Sequence, residues 1–347
     1  MRYYLNTHMA LEQRRMQNQQ SGHPGPRVLV TGPSGSGRTS LCRILLNYAV
    51  RIERTPLFVD LNPREGNLAV PGTLGAAVIE EMLPPELPFV LANPHVLHFG
   101  HAGPEDDRYV YDHQVASLAR IVSSKMESDP LVQASGMFIN CPALAGADVL
   151  ATRAAFGCDV VIVLDNERLV NELNALVRQS QSPVEIIGLP KSGGVVVRDE
   201  SMSKGQDHAA FYKYFYGNPK SETYNLSPFS FDVKLGKVQV FRLGGLQLPA
   251  SLLPVDADVN EYRLRVSEAP ASAGWKHRIC SVVEEADIGS SVLGCVCILH
   301  YDEERQVIKA YKVMRVERRQ ARLSPFASLP LCLSPVRAWV PEAPIVA

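Results

Sequence analysis

Long apolar runs are missing from this sequence. No stretch approaches the ~18 consecutive apolar residues that a membrane-spanning helix needs, and residues 1–6 lack the apolar region of a signal peptide. An excess of charge is missing too, since the formal net charge is -1. Contact with nucleic acid would therefore need a local basic patch. These absences predict a chain with no membrane partner, in the cytoplasm or nucleus, and give RNA binding weak support.

The cysteines lack the paired CxxC spacing of a zinc site. All seven are scattered, mostly in apolar runs, which predicts buried thiols in a reducing compartment. Cys295 and Cys297 lie two apart in an alternating segment and are expected on one face of a strand, but two ligands are too few for a metal site. Internal repeats are absent as well, which excludes a solenoid.

Five short apolar runs recur at helix-sized intervals. This pattern is typical of strands that are buried on both faces of a parallel sheet. They are Val28–Val30, Leu57–Leu61, Met137–Ile139, Val160–Leu164 and Val184–Leu189. The helical candidates between them are Ser40–Val50, Tyr111–Met126 and Glu167–Arg178. The alternation predicts an α/β domain with a mostly parallel sheet.

Beyond about residue 224 the apolar period becomes two. The segment Phe229–Leu235, a Gly-Lys turn and the Val238–Val240 segment together predict a β-hairpin. A second hairpin is predicted from Val292–Tyr301 and Val307–Val313. The Pro-rich end from Leu329 is expected to be irregular.

The chain of 347 residues is long enough for two domains. Residues 1–26 are predicted to form a linker helix and loop, with an exposed helix over Thr7–Gln20 that the Gly- and Pro-rich segment 22–26 ends. We expect a P-loop domain in 27–222 and a smaller, β-rich C-terminal domain in 223–347.

A strand, a glycine-rich loop and a helix start follow one another in Val28–Leu41. The loop has the spacing GxxxxG followed by a basic residue and a threonine, which is typical of a phosphate-binding loop. Its glycines let backbone N–H groups turn inward, and the next helix points its positive end at the phosphates. The alternative is a plain strand-to-helix turn. We expect ATP to be bound by Gly32, Gly35, Ser36, Gly37, Arg38, Thr39 and Ser40, with Mg²⁺ on Thr39.

Two positions depart from the usual chemistry of such a loop. Arg38 replaces the lysine that would reach the β- and γ-phosphates, and a guanidinium is longer, planar and fork-shaped. Asn62 stands where the next strand should end in an acidic residue. Asp60, on the same face but ~6–7 Å deeper, is a candidate substitute that is better explained as structural. Nucleotide binding can survive these changes, whereas ~1 Å of misplacement can slow transfer on the order of a hundredfold.

Asp165 ends the fourth apolar run. One interpretation places it in the ligand site, because ligands bind at the carboxyl edge of such sheets. The other makes it the N-cap of the helix that starts near Glu167. The sequence leaves both open.

Longer stretches of the chain resemble the Clp-type polynucleotide 5′-hydroxyl kinase family. They are Tyr4–His8, Ala10–Gln13, Gly25–Val30, Cys42–Arg51, Val70–Thr73, Val163–Leu169, Asn171–Leu173, Leu189–Val196 and Tyr214–Gly217. The resemblance implies a central P-loop domain, a small C-terminal domain and a role in the nuclear pre-mRNA cleavage and polyadenylation machinery, with its other subunits as partners. The chain starts where the family's linker helix starts, so the β-domain that precedes this helix and helps to hold the adenine is expected to be missing.

The family's active kinases carry an arginine-rich lid before the Tyr-Phe-Tyr-Gly stretch, and an aromatic residue after the strand that ends here at Ile139. In this chain the lid segment Asp199–Phe211 has Lys204 but no arginine, and Asn140–Leu144 contains no aromatic residue. Arginine fingers contribute ~10³–10⁵ in rate, and an aromatic platform would stack an RNA base. With Arg38 and Asn62, these departures imply an ATP-binding, catalytically degenerate scaffold subunit.

Two alternatives stay open at this point. The first is an active ATP-dependent RNA 5′-hydroxyl kinase, in which Arg38 and Asp60 take the catalytic roles. The second is an unrelated P-loop kinase for a small metabolite, which the loop alone permits but the longer matches disfavour.

Overall fold

The computed structural model describes residues 2–85, 89, 91, 93–180, 183–196, 200–218, 226–244, 264–271, 273–312 and 330–337. Among them, no helix is long and apolar enough to cross a membrane. The chain divides into two compact units. The first comprises Met1–Asn62, Leu74–Pro94 and Val115–Asp199, and the second Pro63–Thr73, His95–Gln114 and Glu200–Ala347. The predicted boundary at 222 lies outside the described residues, so the domain limits stay predictions.

The strands before residue 200 are β1 (Arg27–Thr31), β2 (Leu57–Asp60), β3 (Thr73–Val78), β4 (His95–His98), β5 (Met137–Asn140), β6 (Val160–Leu164) and β7 (Glu185–Leu189). Of these, β4 belongs to the second unit. In the first unit the strands lie in the order β3-β2-β5-β1-β6-β7. All pair in parallel except β3, which runs antiparallel to β2. The predicted α/β class with a mostly parallel sheet is confirmed.

The helices before residue 200 are α1 (Arg2–Gln20), α2 (Arg38–Val50), α3 (Arg108–Ser128), α4 (Pro130–Ser135), α5 (Gly146–Phe156) and α6 (Glu167–Ser180). Helix α3 is divided between the units after Gln114. The apolar pattern missed β3, whose sequence Thr-Leu-Gly-Ala-Ala-Val contains glycine and alanine, residues with low strand preference.

The prediction of an exposed helix near the start of the chain is wrong. Helix α1 buries Tyr4 and Leu11, and also the polar side chains of Glu12 and Arg15. Glu12 accepts hydrogen bonds from Arg15 and Arg54, and Arg15 Nε donates to a backbone carbonyl of α4 at 2.9 Å. A polar composition therefore disguised a buried face, because paired charges can be buried where isolated ones cannot.

The second unit contains α7 (Glu200–Tyr216), β8 (Phe229–Lys234), β9 (Gln239–Arg242), β10 (Ser267–Glu268), β11 (Arg278–Val283), β12 (Val292–Asp302), β13 (Val307–Lys312) and β14 (Pro330–Arg337). Strands β8 to β14 form a second sheet in the order β10-β9-β14-β11-β12-β13-β8. The predicted hairpin of β12 and β13 is confirmed.

The other predicted hairpin is wrong. Strands β8 and β9 do not pair, since β8 pairs with β13 while β9 pairs with β10 and β14. The chain between them forms a 3₁₀ turn at Leu235–Lys237, and Leu235 and Val238 pack against the core of this sheet. A period of two predicts strands but not their partners, because any strand edge offers the same N–H and C=O groups.

The prediction of an irregular end is wrong over Pro330–Arg337, which is strand β14. Leu329 and residues 338–347 lie outside the described residues. Pro330 is the first residue of β14, where a missing N–H is tolerated. The register against β11 shifts between the pairs Cys280–Leu333 and Arg278–Arg337. This irregularity lies opposite Pro335, and bulges are where a strand accommodates proline.

The seven cysteines are all buried and all free thiols, which confirms the predicted burial. Cys295 and Cys297 contribute to one apolar cluster with Tyr214, Phe215 and Ile279, as expected for residues on one strand face. Burial raises the pKa of the Cys297 thiol to about 12. These thiols therefore act as core residues.

Candidate nucleotide site

The glycine-rich loop connects β1 to α2 at the carboxyl edge of the first unit's sheet. Gly32, Gly35 and Gly37 all have positive φ, at 148°, 72° and 92°. A Cβ on Gly32 would lie 2.5 Å from the carbonyl oxygen of Leu164, and one on Gly37 would lie 3.2 Å from the side chain of Val195. The loop path therefore requires glycine for both conformation and space.

The start of α2 is arranged to receive an anion. Gly37 is its N-cap and, as a glycine, makes no side-chain capping hydrogen bond. The Ser36 hydroxyl is buried, at 3% exposure for the residue, and has no hydrogen-bond partner in the described part of the chain. A buried hydroxyl without a partner is unusual, and a phosphate oxygen at the positive end of the helix would satisfy it. The geometry therefore fits a nucleotide's phosphate tail.

Arg38 is the first residue of α2 and is 7% exposed. Its Nη1 donates a hydrogen bond to the carbonyl oxygen of Cys141 at 2.6 Å. Cys141 directly follows β5, and its N–H donates to Val30 O of β1 at 2.9 Å. The guanidinium is thus held at the end of the strand beside the one that leads into the loop.

Asn140, the last residue of β5, was missed as a site residue by the sequence analysis. Its Nδ2 donates to Asp60 Oδ1 at 2.9 Å and to Thr39 Oγ1 at 3.3 Å. Asp60 Oδ1 also accepts from the Asn62 N–H at 3.2 Å. One buried amide therefore links the loop threonine to the β2 carboxylate. The position of Asn140 at the end of a strand could have identified it as a site residue. P-loop proteins hold Mg²⁺ with the loop Ser/Thr and an aspartate at a strand end, so strand-end polar residues are candidates.

The remaining predicted ligands have different environments. Thr39 is half-buried and Ser40 is exposed, both in the first turn of α2. Asp60 is 1% exposed and ends β2, while Asn62 lies two residues beyond the strand and is also buried. The structure therefore brings Thr39 and Asp60 together through Asn140, whereas Arg38 is directed to Cys141.

Asp165 is not the N-cap of α6, so that interpretation is wrong. The N-cap is Asn166, whose Oδ1 accepts a hydrogen bond from the Leu169 N–H at 3.0 Å. Asp165 instead has a φ of 50° and forms an ion pair with Lys191, with Oδ2 and Nζ 3.0 Å apart. The ligand role of Asp165 stays a prediction.

A second segment, Lys191–Val196, lies against the glycine loop through Val195. Burial raises the pKa of Tyr4, on α1, and the nearby backbone of Ser192 in this segment opposes the rise. Tyr4 therefore brings α1 close to this segment, a proximity that the sequence did not indicate.

The predicted lid segment, Asp199–Phe211, forms most of α7. Asp199 and the side chain of Lys204 lie outside the described residues. After β5 the chain continues with Cys141 and Pro142, which are buried, and with Ala143, which is exposed. The missing lid arginine and the missing aromatic platform therefore rest on the residue types in the sequence.

Two protein-family models match the chain. The P-loop of mRNA cleavage and polyadenylation factor CLP1 matches residues 32–217, and pre-mRNA cleavage complex II protein Clp1 matches residues 226–312. The CLP1 homolog of Drosophila melanogaster is 35% identical over 314 residues, which make up 88% of this chain and 73% of that protein. The CLP1 homolog of Anopheles gambiae is 36% identical with the same coverage of both chains, 88% and 73%.

Solved structures of relatives share the fold. A Clp1p–Pcf11p structure concerned with their extended interface and with ATP loss in a point mutant has a TM-score of 0.79 and 23% identity, and covers 97% of this chain and 80% of that one. A wild-type Clp1p–Pcf11p complex gives a TM-score of 0.78 at 23% identity, with 97% and 79% covered. At this identity the likeness shows the fold alone. Together with the two family models and the relatives at about 35% identity, these findings confirm that the chain belongs to the Clp1 family of mRNA cleavage and polyadenylation factors.

Proposed function

We propose that this chain is an ATP-binding, non-catalytic subunit of the pre-mRNA 3′-end cleavage and polyadenylation factor. The observation that carries the proposal is the buried hydroxyl of Ser36, which has no hydrogen-bond partner among the described residues and lies next to the glycine N-cap of α2. Mg²⁺ supplies charge neutralisation when the nucleotide is bound. The residues that would hold the phosphate tail are Gly32, Gly35, Ser36, Gly37, Thr39 and Ser40, with Mg²⁺ on Thr39. The Arg38 side chain is not among these ligands, because it donates to Cys141 O.

Phosphoryl transfer would require certain side chains to contact the nucleotide or the acceptor. In this chain those side chains make other contacts, which supports binding without turnover. Arg38 donates to a backbone carbonyl, and Asp60 accepts from Asn140 and from the backbone of Asn62. Phosphoryl transfer depends on cations that stabilise charge on three equatorial oxygens and on a positioned acceptor. The lid segment supplies no arginine for that task.

A nucleotide that is not turned over can still serve the complex. A ligand that binds only the folded state stabilises it by RT ln(1 + [L]/Kd), ~4 kcal/mol at a thousandfold excess over Kd. Structures of relatives are complexes of Clp1p with Pcf11p. We therefore propose that bound ATP stabilises a scaffold, in the nucleus, for a Pcf11-type subunit and other factor subunits.

Titration of the full chain with ATP and Mg²⁺ tests nucleotide binding. We expect calorimetric binding and a higher unfolding temperature for the wild type, and loss of both for Gly37→Ala, because a Cβ there would be 3.2 Å from Val195 at a φ of 92°. Gly236→Ala is the matched control, since a Cβ there has nothing within 4 Å. Wild-type protein without affinity for ATP at millimolar concentration would overturn the proposal.

Labelled ATP and a 5′-hydroxyl RNA test the absence of turnover. We expect no label on the RNA. Steady product formation that Arg38→Ala abolishes would instead assign the active kinase. Co-purification with a Pcf11-type subunit tests the scaffold role, and failure to bind that subunit, together with transfer to a small metabolite, would assign the metabolite kinase.

A further inference from the structure

The position of the Arg38 charge distinguishes this site from a loop with lysine. A lysine at this position reaches the β- and γ-phosphates. Here the guanidinium is buried and donates to Cys141 O at 2.6 Å. The acceptor follows β5, which neighbours β1, and adjacent strands lie ~4.8 Å apart. The positive charge of Arg38 therefore lies toward the end of β5, and not in front of the loop that follows β1.

This position has an energetic consequence for Arg38. To contact a terminal phosphate, the side chain would have to give up its short hydrogen bond to a carbonyl whose residue is fully buried. Hydrogen bonds from charged donors are among the stronger ones in proteins. The gain from a phosphate contact is therefore offset by the loss of an existing contact of the same type.

The groups that remain available for a phosphate are close together in the sequence. They are the loop backbone, the Ser36 hydroxyl and the N-terminus of α2 after its glycine N-cap. A loop of this kind cradles the α- and β-phosphates with its N–H groups, while the lysine extends to the γ-phosphate. Because the cradle contacts are common to nucleoside di- and triphosphates, they do not distinguish the two.

We propose that this site binds ADP and ATP with nearly equal affinity, and that Arg38 is the residue that removes selectivity for the γ-phosphate. The inference rests on the proposed nucleotide binding. The scaffold is then stabilised by the total adenine nucleotide pool and is insensitive to the ratio of ATP to ADP.

Competition of ATP and ADP for the full-length chain, with Mg²⁺ present, tests the inference. We expect dissociation constants within about threefold of each other for the wild type. Arg38→Lys should shift the ratio by on the order of tenfold in favour of ATP, the scale of one charge-assisted hydrogen bond. Arg153→Lys is the matched control, because Arg153 Nε also donates to a cysteine carbonyl, Cys158 O at 2.9 Å. This control should leave the ratio unchanged.

Arg38→Gln provides a second readout that does not require a lysine to fit. It should bind both nucleotides within about threefold of the wild type, because the cradle is unchanged. A wild-type preference for ATP of tenfold or more would overturn the inference, and so would a loss of affinity for both nucleotides in Arg38→Gln. Neither result would contradict the proposed binding of nucleotide by the wild type. A wild type that binds neither nucleotide would overturn the proposed function itself.

Discussion

The glycine loop and the strand ends beside it differ in which atoms carry their chemistry. In the loop, Gly32 and Gly37 hold positive φ values, and Gly37 directly precedes the first residue of α2. At the strand ends, Asp60 and Asn140 act through side chains that hydrogen-bond each other. Binding by backbone tolerates the exchange of a neighbouring side chain, whereas transfer depends on specific side chains. The comparison explains how one site can bind a nucleotide without turnover.

The largest expected effect comes from closing the loop's backbone path. Gly32→Ala places a Cβ 2.5 Å from Leu164 O at a φ of 148°. We expect the free energy of unfolding to fall by roughly 2–4 kcal/mol, because backbone strain and overpacking add. Urea unfolding measures the change, with Gly236→Ala as the control, and ATP should no longer stabilise the variant. Retained ATP stabilisation would contradict a backbone-determined site.

A smaller effect is expected from the strand end. Asp60→Ala removes the acceptor of Asn140 Nδ2 and of the Asn62 N–H. Buried donors left without this acceptor should lower the free energy of unfolding by ~1–3 kcal/mol. Asp60→Asn keeps an acceptor oxygen and should lose less. ATP affinity should change less than Gly37→Ala changes it, and a larger loss of affinity in Asp60→Ala would place this carboxylate among the ligands.

A still smaller effect on the free energy of unfolding is expected from a change in α1. Tyr4→Phe removes the hydroxyl that lies near the Ser192 backbone and keeps the ring in place. We expect a loss of ~1 kcal/mol in the free energy of unfolding and a small drop in ATP affinity. Tyr3→Phe is the control, because Tyr3 is 60% exposed. Equal effects from both variants would remove α1 from the support of the site.

No gain of phosphoryl transfer is expected when Arg38 and Asn62 are both changed to the residues usual for such a site. Arg38→Lys combined with Asn62→Asp restores the loop lysine and a strand-end acid. Transfer to a 5′-hydroxyl RNA should stay undetectable, because the lid segment still lacks arginine. Labelled ATP measures transfer, and turnover by this double variant would show that the departures at 38 and 62 alone suppress activity.

Much of the first unit was predictable from the sequence. The apolar runs matched β1, β2, β5, β6 and β7 to within two residues. Strands β2, β5 and β6 are buried along their whole length, and such strands read as continuous apolar segments. The predicted burial is wrong for β7, which lies at the edge of the sheet and is mostly exposed or half-buried. The loop was found from glycine spacing. Helix α1 was predicted in place but not in burial, since its buried Glu12 and Arg15 are stabilised by partners distant in sequence.

The second unit was less predictable. Alternation identified β8 and β9 as strands, but the two lie near opposite ends of the sheet order. Proline disguised β14, because a regular strand excludes proline, whereas the pairing of β14 with β11 is irregular in the stretch that contains Pro335. The hairpin of β12 and β13 was predictable because the two strands are neighbours in the chain. The pairings of β8 with β13 and of β9 with β14 join distant segments, and local pattern carries no information about them.

The sequence by itself determined where the strands and the phosphate-binding loop lie, because period, glycine spacing and turn residues act over a few neighbours. Only the tertiary structure decided that Arg38 donates to a carbonyl 103 residues away and that Asn140 joins Thr39 to Asp60. These contacts depend on which strand lies beside which, and the sheet order is set by the packing of the whole unit.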